Sequence, residues 1–255
     1  MIRQPLGVRL DAADDLRINI RLAATLGAKG VVLDAAGDLY PDRLSESGRR
    51  ELRHLLRSVE LNLIALHLPT RRPYDTIDDL DDRLRRADRA FALAYELGAR
   101  LVLVRVGAVP PIEEALRRQV YTDALVSLAR AADFRGIRLA IETGLEPGST
   151  LRAFLDTLAH PSLAASIDPA ALLARGYDPV ASTRALGPWV AHAYANDAAT
   201  GGGISSPGVR AGALDWIEYL GSLEEINYLG YLTAFPAPGQ LATQLPALID
   251  RLKRF

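Results

Sequence analysis

The sequence predicts an α/β protein, a single (β/α)8 barrel running through residues 1–255. Three observations carry that reading. Eight short apolar, strand-like runs alternate with longer stretches of helical period. No stretch has the composition of a linker between domains, and the length suits one large α/β unit. No Gly-rich phosphate fingerprint follows the first strand, which disfavours a doubly wound open sheet.

Each element has a local reason. Leu6 to Leu10 reads as the first strand, and Ala13 to Leu26 as a helix stopped by Gly27. Gly30 to Asp34 is the second strand, followed by a helix from Ser45 to Val59. Leu61 to Leu68 is the third strand. Pro69 to Pro73 marks a loop before a long Arg- and Asp-rich helix, Asp78 to Leu97, stopped by Gly98. Arg100 to Val106 is the fourth strand, and Ile112 to Phe134 a helix behind a Pro-Pro start. Then come two runs that each end in an acid, Glu142 in IRLAIETG and Asp168 in LAASIDPA, separated by a helix over Ser149 to Leu158. Strand, helix, strand at this spacing makes a βαβ unit whose parallel strands end on one side of the sheet. Asp178 to Leu186 is a helix, Val190 to Asn196 the seventh strand, and Leu214 to Leu223 a helix. Tyr228 to Phe235 is the eighth strand, and Gln240 to Lys253 closes the chain as a helix. The Gly-rich loop Ala199 to Gly212, after the seventh strand, is expected to move or to order over the pocket mouth.

In such a barrel chemistry gathers at the carboxyl ends of the strands. The residues there are Arg9, Asp34, His67, Arg105, Glu142, Asp168, His192, Tyr194, Asp197, Thr233 and Phe235. Glu142 and Asp168 are the candidate catalytic pair, with Ala140, Ala164 and Ser166 beneath them. The competing reading is that each acid caps the helix or turn after it. Arg9, Asp34, His67, Arg105, His192, Tyr194, Asp197 and Phe235 are the candidate substrate contacts. Arg105 suits either a substrate oxygen or neutralisation of Glu142, and His192, furthest down the barrel, reads as a core histidine.

Composition narrows the function classes. With 30 basic against 31 acidic residues, the net charge of −1 provides no field for nucleic acid or anionic membrane. There are no cysteines, so thiolate metal sites, disulfides and a Cys nucleophile are excluded. The chain starts with a strand and acids rather than a leader, and the uncharged stretch Ile226 to Ile249 is broken by Gly and Pro, so a cytoplasmic location is expected.

The segments IETG, SIDPAALLARGYDP, AHAYANDA and VRAGALDWIEYL, in that order, resemble the sugar isomerase/epimerase superfamily of xylose isomerase-like TIM barrels. Hydroxypyruvate isomerases, tagatose-type epimerases and endonuclease IV are members. The resemblance implies a divalent metal held by Glu, Asp, His and Glu from the fifth to eighth strands. Glu142 and Asp168 match the first two ligands and would form a partial metal site, but Tyr194 stands at the third position and Phe235 at the fourth. Ala171 replaces the substrate-contacting His three residues after the Asp. The resemblance, with these departures, implies a carbohydrate-handling barrel with no tightly bound cofactor and at most weak Mg, Mn or Zn binding. Its expected partner is a small carbohydrate or sugar acid, not nucleic acid or membrane, with homo-oligomerisation left open. A non-catalytic carbohydrate-binding or assembly barrel is the alternative reading. An abasic-site nuclease would need more histidines than the four present and a basic face.

Overall fold

The computed structural model describes residues 4–12, 15–197 and 213–255. The expectation for the 199–212 loop lies outside the described residues. The chain winds β1 (Leu6–Leu10), α1 (Leu16–Thr25), β2 (Gly30–Asp34), α2 (Glu46–Ser58), β3 (Asn62–Leu68) and α3 (Leu80–Leu97). It continues through β4 (Leu101–Val104), α4 (Ala115–Phe134), β5 (Arg138–Glu142), α5 (Gly148–Leu158), β6 (Leu163–Ile167) and α6 (Pro169–Leu173). The last part runs α7 (Pro179–Leu186), β7 (Val190–Tyr194), α8 (Trp216–Glu225), β8 (Leu232–Ala234) and α9 (Leu241–Leu252). Every strand pairs in parallel with its sequence neighbours, and β8 closes onto β1, so the sheet is a closed eight-stranded barrel. This is the single (β/α)8 TIM barrel that the alternation predicts.

Burial explains the strand composition. All five residues of β6 are buried, because helices cover the outside while side chains fill the inside. Val32, Ala65, Leu103, Ala140, Ala164 and Tyr194 form the core within the barrel. A much larger apolar cluster lies between the sheet and the helices. Each buried Leu, Val or Phe there contributes roughly 1.5–3 kcal/mol through burial. Asp15, Ser45, Asp178 and Asp215 cap α1, α2, α7 and α8 by accepting from first-turn amides. Gly98, at φ +94°, ends α3 in the left-handed region, where a side chain would be strained.

Several boundaries differ from the expected ones. β8 is three residues long rather than beginning at Tyr228, since Tyr228 folds back and its hydroxyl donates to Tyr231 O at 2.7 Å. β4 is trimmed at both ends relative to Arg100–Val106. α3 begins at Leu80 and α4 at Ala115, each a few residues later than expected. Helix α6 has no counterpart in the sequence reading: Pro169 sets its first turn directly after Asp168.

Candidate functional site at the barrel mouth

Strand register brings the site together. Asp34 pairs with His67 across β2 and β3, Glu142 with Ser166 across β5 and β6, and Tyr194 with Thr233 across β7 and β8. The organiser is Arg9 of β1, which crosses the barrel interior. Its Nε donates to Asp34 Oδ1 at 3.0 Å, and Nη1 donates to the Tyr194 hydroxyl at 3.1 Å. Nη1 also lies 3.6 Å from Glu142 Oε1, and Nη2 is 2.7 Å from His67 Nδ1. Phe235 covers the guanidinium with its ring, centroid 4.2 Å away. Arg9 is buried, with 9% of its surface exposed. Burial works against its charge, but Tyr194, Glu142 and Asp34 keep the guanidinium protonated more firmly than usual.

Glu142 is correspondingly engaged. The Tyr194 hydroxyl donates to Oε1 at 3.0 Å, and His67 Nε2 lies 3.4 Å from Oε2. The His67 ring sits between the two acids, its Nδ1 3.0 Å from Asp34 Oδ1 as well as 2.7 Å from Arg9 Nη2. Burial alone would raise the Glu142 carboxyl, but the His67 ring, Arg9 and Arg105 outweigh it and hold it well below the usual range. Asp34 is likewise held low: burial raises it, and bonds from His67 and Arg9 prevail.

Asp168 is in a different state. Its Oδ1 accepts from Ala171 N at 3.0 Å, so the helix-cap reading of this acid is correct. Its Oδ2 faces Arg105 Nη2 at 4.0 Å, and Asn196 also bonds to the carboxyl. Burial, with help from the Glu142 charge, raises Asp168 above the usual carboxylate range. The Arg105 side chain is 41% exposed, yet its Nε is buried with no partner among the described residues. Arg105 thus keeps exposed surface at the mouth, whereas Glu142 is buried against Tyr194, His67 and Arg9.

His192 lies one layer down and is fully buried. Its Nδ1 is 2.8 Å from Ser166 Oγ and its Nε2 2.8 Å from Thr233 Oγ1, with the Tyr194 ring edge-on at 4.7 Å. Burial pushes this imidazole down to about 3, so it supports the floor as a neutral ring. Asp197 accepts from Leu214 N at 3.3 Å and lies 3.8 Å from Arg251. Ala171 packs beneath Gly144, which passes so close at φ +116° that an added Cβ would sit 2.5 Å from the Ala171 methyl.

Three participants escape the sequence reading. Asn196 bonds Asp168, and the Thr143 hydroxyl accepts from Asp168 N at 2.8 Å. Glu146, in the β5–α5 loop, accepts from Val109 N at 3.3 Å. Burial pushes its carboxyl up to about 7 against the pull of Val109 N–H and Arg175. The available signal is its position, four residues past Glu142 on the loop that leaves the mouth.

Among the described residues, no three His, Asp or Glu side chains converge as a set able to hold a metal ion. No described helix is long and apolar enough to cross a membrane.

Comparison with known proteins agrees with this architecture. The fold matches a xylose isomerase domain protein from Planctomyces limnophilus at 19% identity and a TM-score of 0.81, covering 98% of this chain and 95% of that one. D-psicose 3-epimerase from Clostridium cellulolyticum H10, solved with D-tagatose, matches at 14% identity and 0.80, covering 98% and 99%. A probable 3-DHS dehydratase from Bacillus anthracis matches at 16% and 0.73, covering 98% and 99%. No curated protein matches the sequence. The model of the xylose isomerase-like TIM barrel family matches residues 20–254, and the chain belongs to that family.

Proposed function

We propose that this barrel binds a small carbohydrate or sugar acid at its mouth and handles it as an isomerase- or epimerase-like protein without a tightly held divalent metal. The observation that carries the reading is the Arg9 guanidinium, seated against Glu142, Asp34, His67 and Tyr194 beneath Phe235. The family's metal position needs oxygen or imidazole donors in number. Here the Tyr194 hydroxyl is spent on Glu142, Phe235 has no donor atom, and a fixed cation already neutralises Glu142. A divalent ion would meet repulsion from Arg9 and too few ligands, so these residues do not fit it.

Asp168 and Arg105 are left open to a ligand. Arg105 suits a hydroxyl, carbonyl or carboxylate oxygen of the ligand, and Asp168 Oδ2 is placed to accept a hydrogen bond or a proton from a neighbouring position. In this reading Arg105 binds and orients, Asp168 is the base, and Glu142 is the anchor that holds Arg9. The relatives solved with D-tagatose and D-allulose support the ligand class.

A second reading, a non-catalytic carbohydrate-binding barrel, is favoured by Phe235. Epimerisation uses an acid and a base on opposite faces of one carbon, and Phe235 provides neither. Calorimetric titration with ketoses, aldoses and aldonic acids, with and without EDTA, tests the binding claim. Proton NMR in D2O follows exchange at substrate carbon. We expect binding that EDTA does not alter and exchange that Asp168→Asn abolishes; binding without exchange selects the second reading. Near-stoichiometric Mn or Zn that survives dialysis and disappears in Glu142→Ala would overturn the metal-free assignment.

A further inference from the structure

The β3–α3 corner carries a second cluster that the mouth does not use. A cavity of about 160 Å3 there is lined by Tyr74, Asp79 and four arginines, Arg71, Arg72, Arg83 and Arg86. Four cations against one acid leave a lining of net charge +3.

The four guanidinium groups have different tasks. Arg83 holds the loop: Nη1 donates to Pro73 O, and Nη2 donates to Thr76 O at 2.6 Å and Asp78 O at 2.9 Å. Arg72 pairs with Asp79 at 3.3 Å, both side chains being exposed, so that pair is weak and exchangeable. Arg86 contacts the Tyr40 ring at 5.3 Å, and its Nε is buried with no hydrogen-bond partner among the described residues. Arg83 Nε is buried and unpartnered among them as well. Arg71 makes no hydrogen bond or ion pair to a described residue and is exposed at the rim. Four guanidinium groups in one concave corner, with Arg71 exposed at the rim and Arg72 only weakly paired, favour an anionic ligand.

We infer that this corner is a binding site for a tetrahedral oxyanion, the phosphate group of a small molecule, held by Arg71 and Arg86 with Arg83 fixing the loop. Guanidinium groups suit phosphate because their N–H pairs match two of its oxygens at once. The concave shape and the flanking exposed acids Asp78, Asp81 and Asp82 disfavour an extended polyanion such as nucleic acid. Thr70 ties the corner to the neighbouring strand, its hydroxyl donating to Arg105 O at 2.6 Å, so the site lies on the carboxyl-end face of the barrel. The inference does not depend on what the mouth binds.

The test is calorimetric titration of the full chain with inorganic phosphate, glucose 6-phosphate and glucose at low ionic strength. Arg86→Gln, Arg71→Gln and the double variant are compared with Arg17→Gln, which removes an exposed arginine paired with Glu51 elsewhere. We expect one saturable phosphate site, weakened about tenfold or more in Arg86→Gln, further in the double variant, and unchanged in Arg17→Gln. Equal affinities for phosphate and glucose 6-phosphate would assign the site to free phosphate. Tighter glucose 6-phosphate, with glucose alone silent, would assign it to a phosphorylated metabolite. No saturable phosphate binding, or equal weakening by Arg17→Gln and Arg86→Gln, would overturn the inference.

Discussion

Replacing Arg9 with Met keeps an apolar stem under Phe235 but leaves Glu142 and Asp34 buried without their cation. At the observed 3.6 Å from Glu142, and with an effective dielectric of about 20, the lost Coulomb attraction is roughly 4–5 kcal/mol. That agrees with the cost of about 3–5 kcal/mol for breaking a buried ion pair on one side. For a chain of this size the melting temperature should fall by roughly 10 °C. The pH dependence follows from the sign of the shift. In the native chain Glu142 is held below its ordinary pKa, so its stabilisation is complete above the unfolded value and is lost as pH falls through the folded one. In Arg9→Met one of the groups that hold the carboxyl low is gone while His67 and Arg105 remain, so the carboxyl rises from its native value and the native chain's advantage shrinks as pH falls. Urea unfolding of native and variant chains should therefore differ most at pH 7.5 and less at pH 4.5. Adding Glu142→Gln to Arg9→Met should restore at least about 2 kcal/mol, because the orphaned charge is gone. A loss under about 1 kcal/mol, an equal loss at both pH values, or additive behaviour of the double variant would refute this account of the mouth.

Other variants separate the remaining roles. Tyr194→Phe removes the hydroxyl between Arg9 and Glu142 and should cost about 1–3 kcal/mol by urea titration, without affecting the barrel's circular dichroism. Asp168→Ala should cost about 1 kcal/mol through the lost α6 cap, while Asp168→Asn keeps the cap and should lose only catalysis or ligand affinity. Glu146, raised to about 7, lowers stability as pH rises from its unfolded value to 7. Glu146→Gln should therefore be more stable than the native chain by roughly 1–3 kcal/mol at pH 8, and little changed at pH 5. Gly144→Ala should unfold at markedly lower urea, since a Cβ there meets Ala171 at 2.5 Å on a positive-φ backbone.

Why some of this is readable from sequence, and some not, comes down to range. Strand polarity and the period-2 rule place Glu142 and Asp168 on adjacent strands at one end, because both follow from local spacing. Glycines such as Gly98 announce helix ends by a backbone requirement that acts within one turn. Arg9 is different. Its partners lie on β2, β3, β5 and β7, so its role depends on barrel closure and on which long side chain reaches the centre. Sequence reasoning offers Arg105 as the partner of Glu142 and His67 as a substrate contact. In the structure His67 approaches Glu142, while Arg105 turns to Asp168 and Arg9 arrives from across the barrel. The short α6 escapes detection because a five-residue helix carries too little periodicity.

The contact between the Arg9 guanidinium and the Phe235 ring also bears on how such a site can change through descent. On the proposed metal-free reading, a chain drifting toward metal binding would replace Phe235 with a carboxylate, Tyr194 with an imidazole, and Arg9 with something neutral. Each step alone is penalised: an acid at 235 would pair with Arg9 instead of an ion, and loss of Arg9 first strands Glu142. On that reading the three positions are mutually conditional through the charge of Arg9. A library that varies positions 9, 194 and 235 together should reach metal binding that single-site libraries miss.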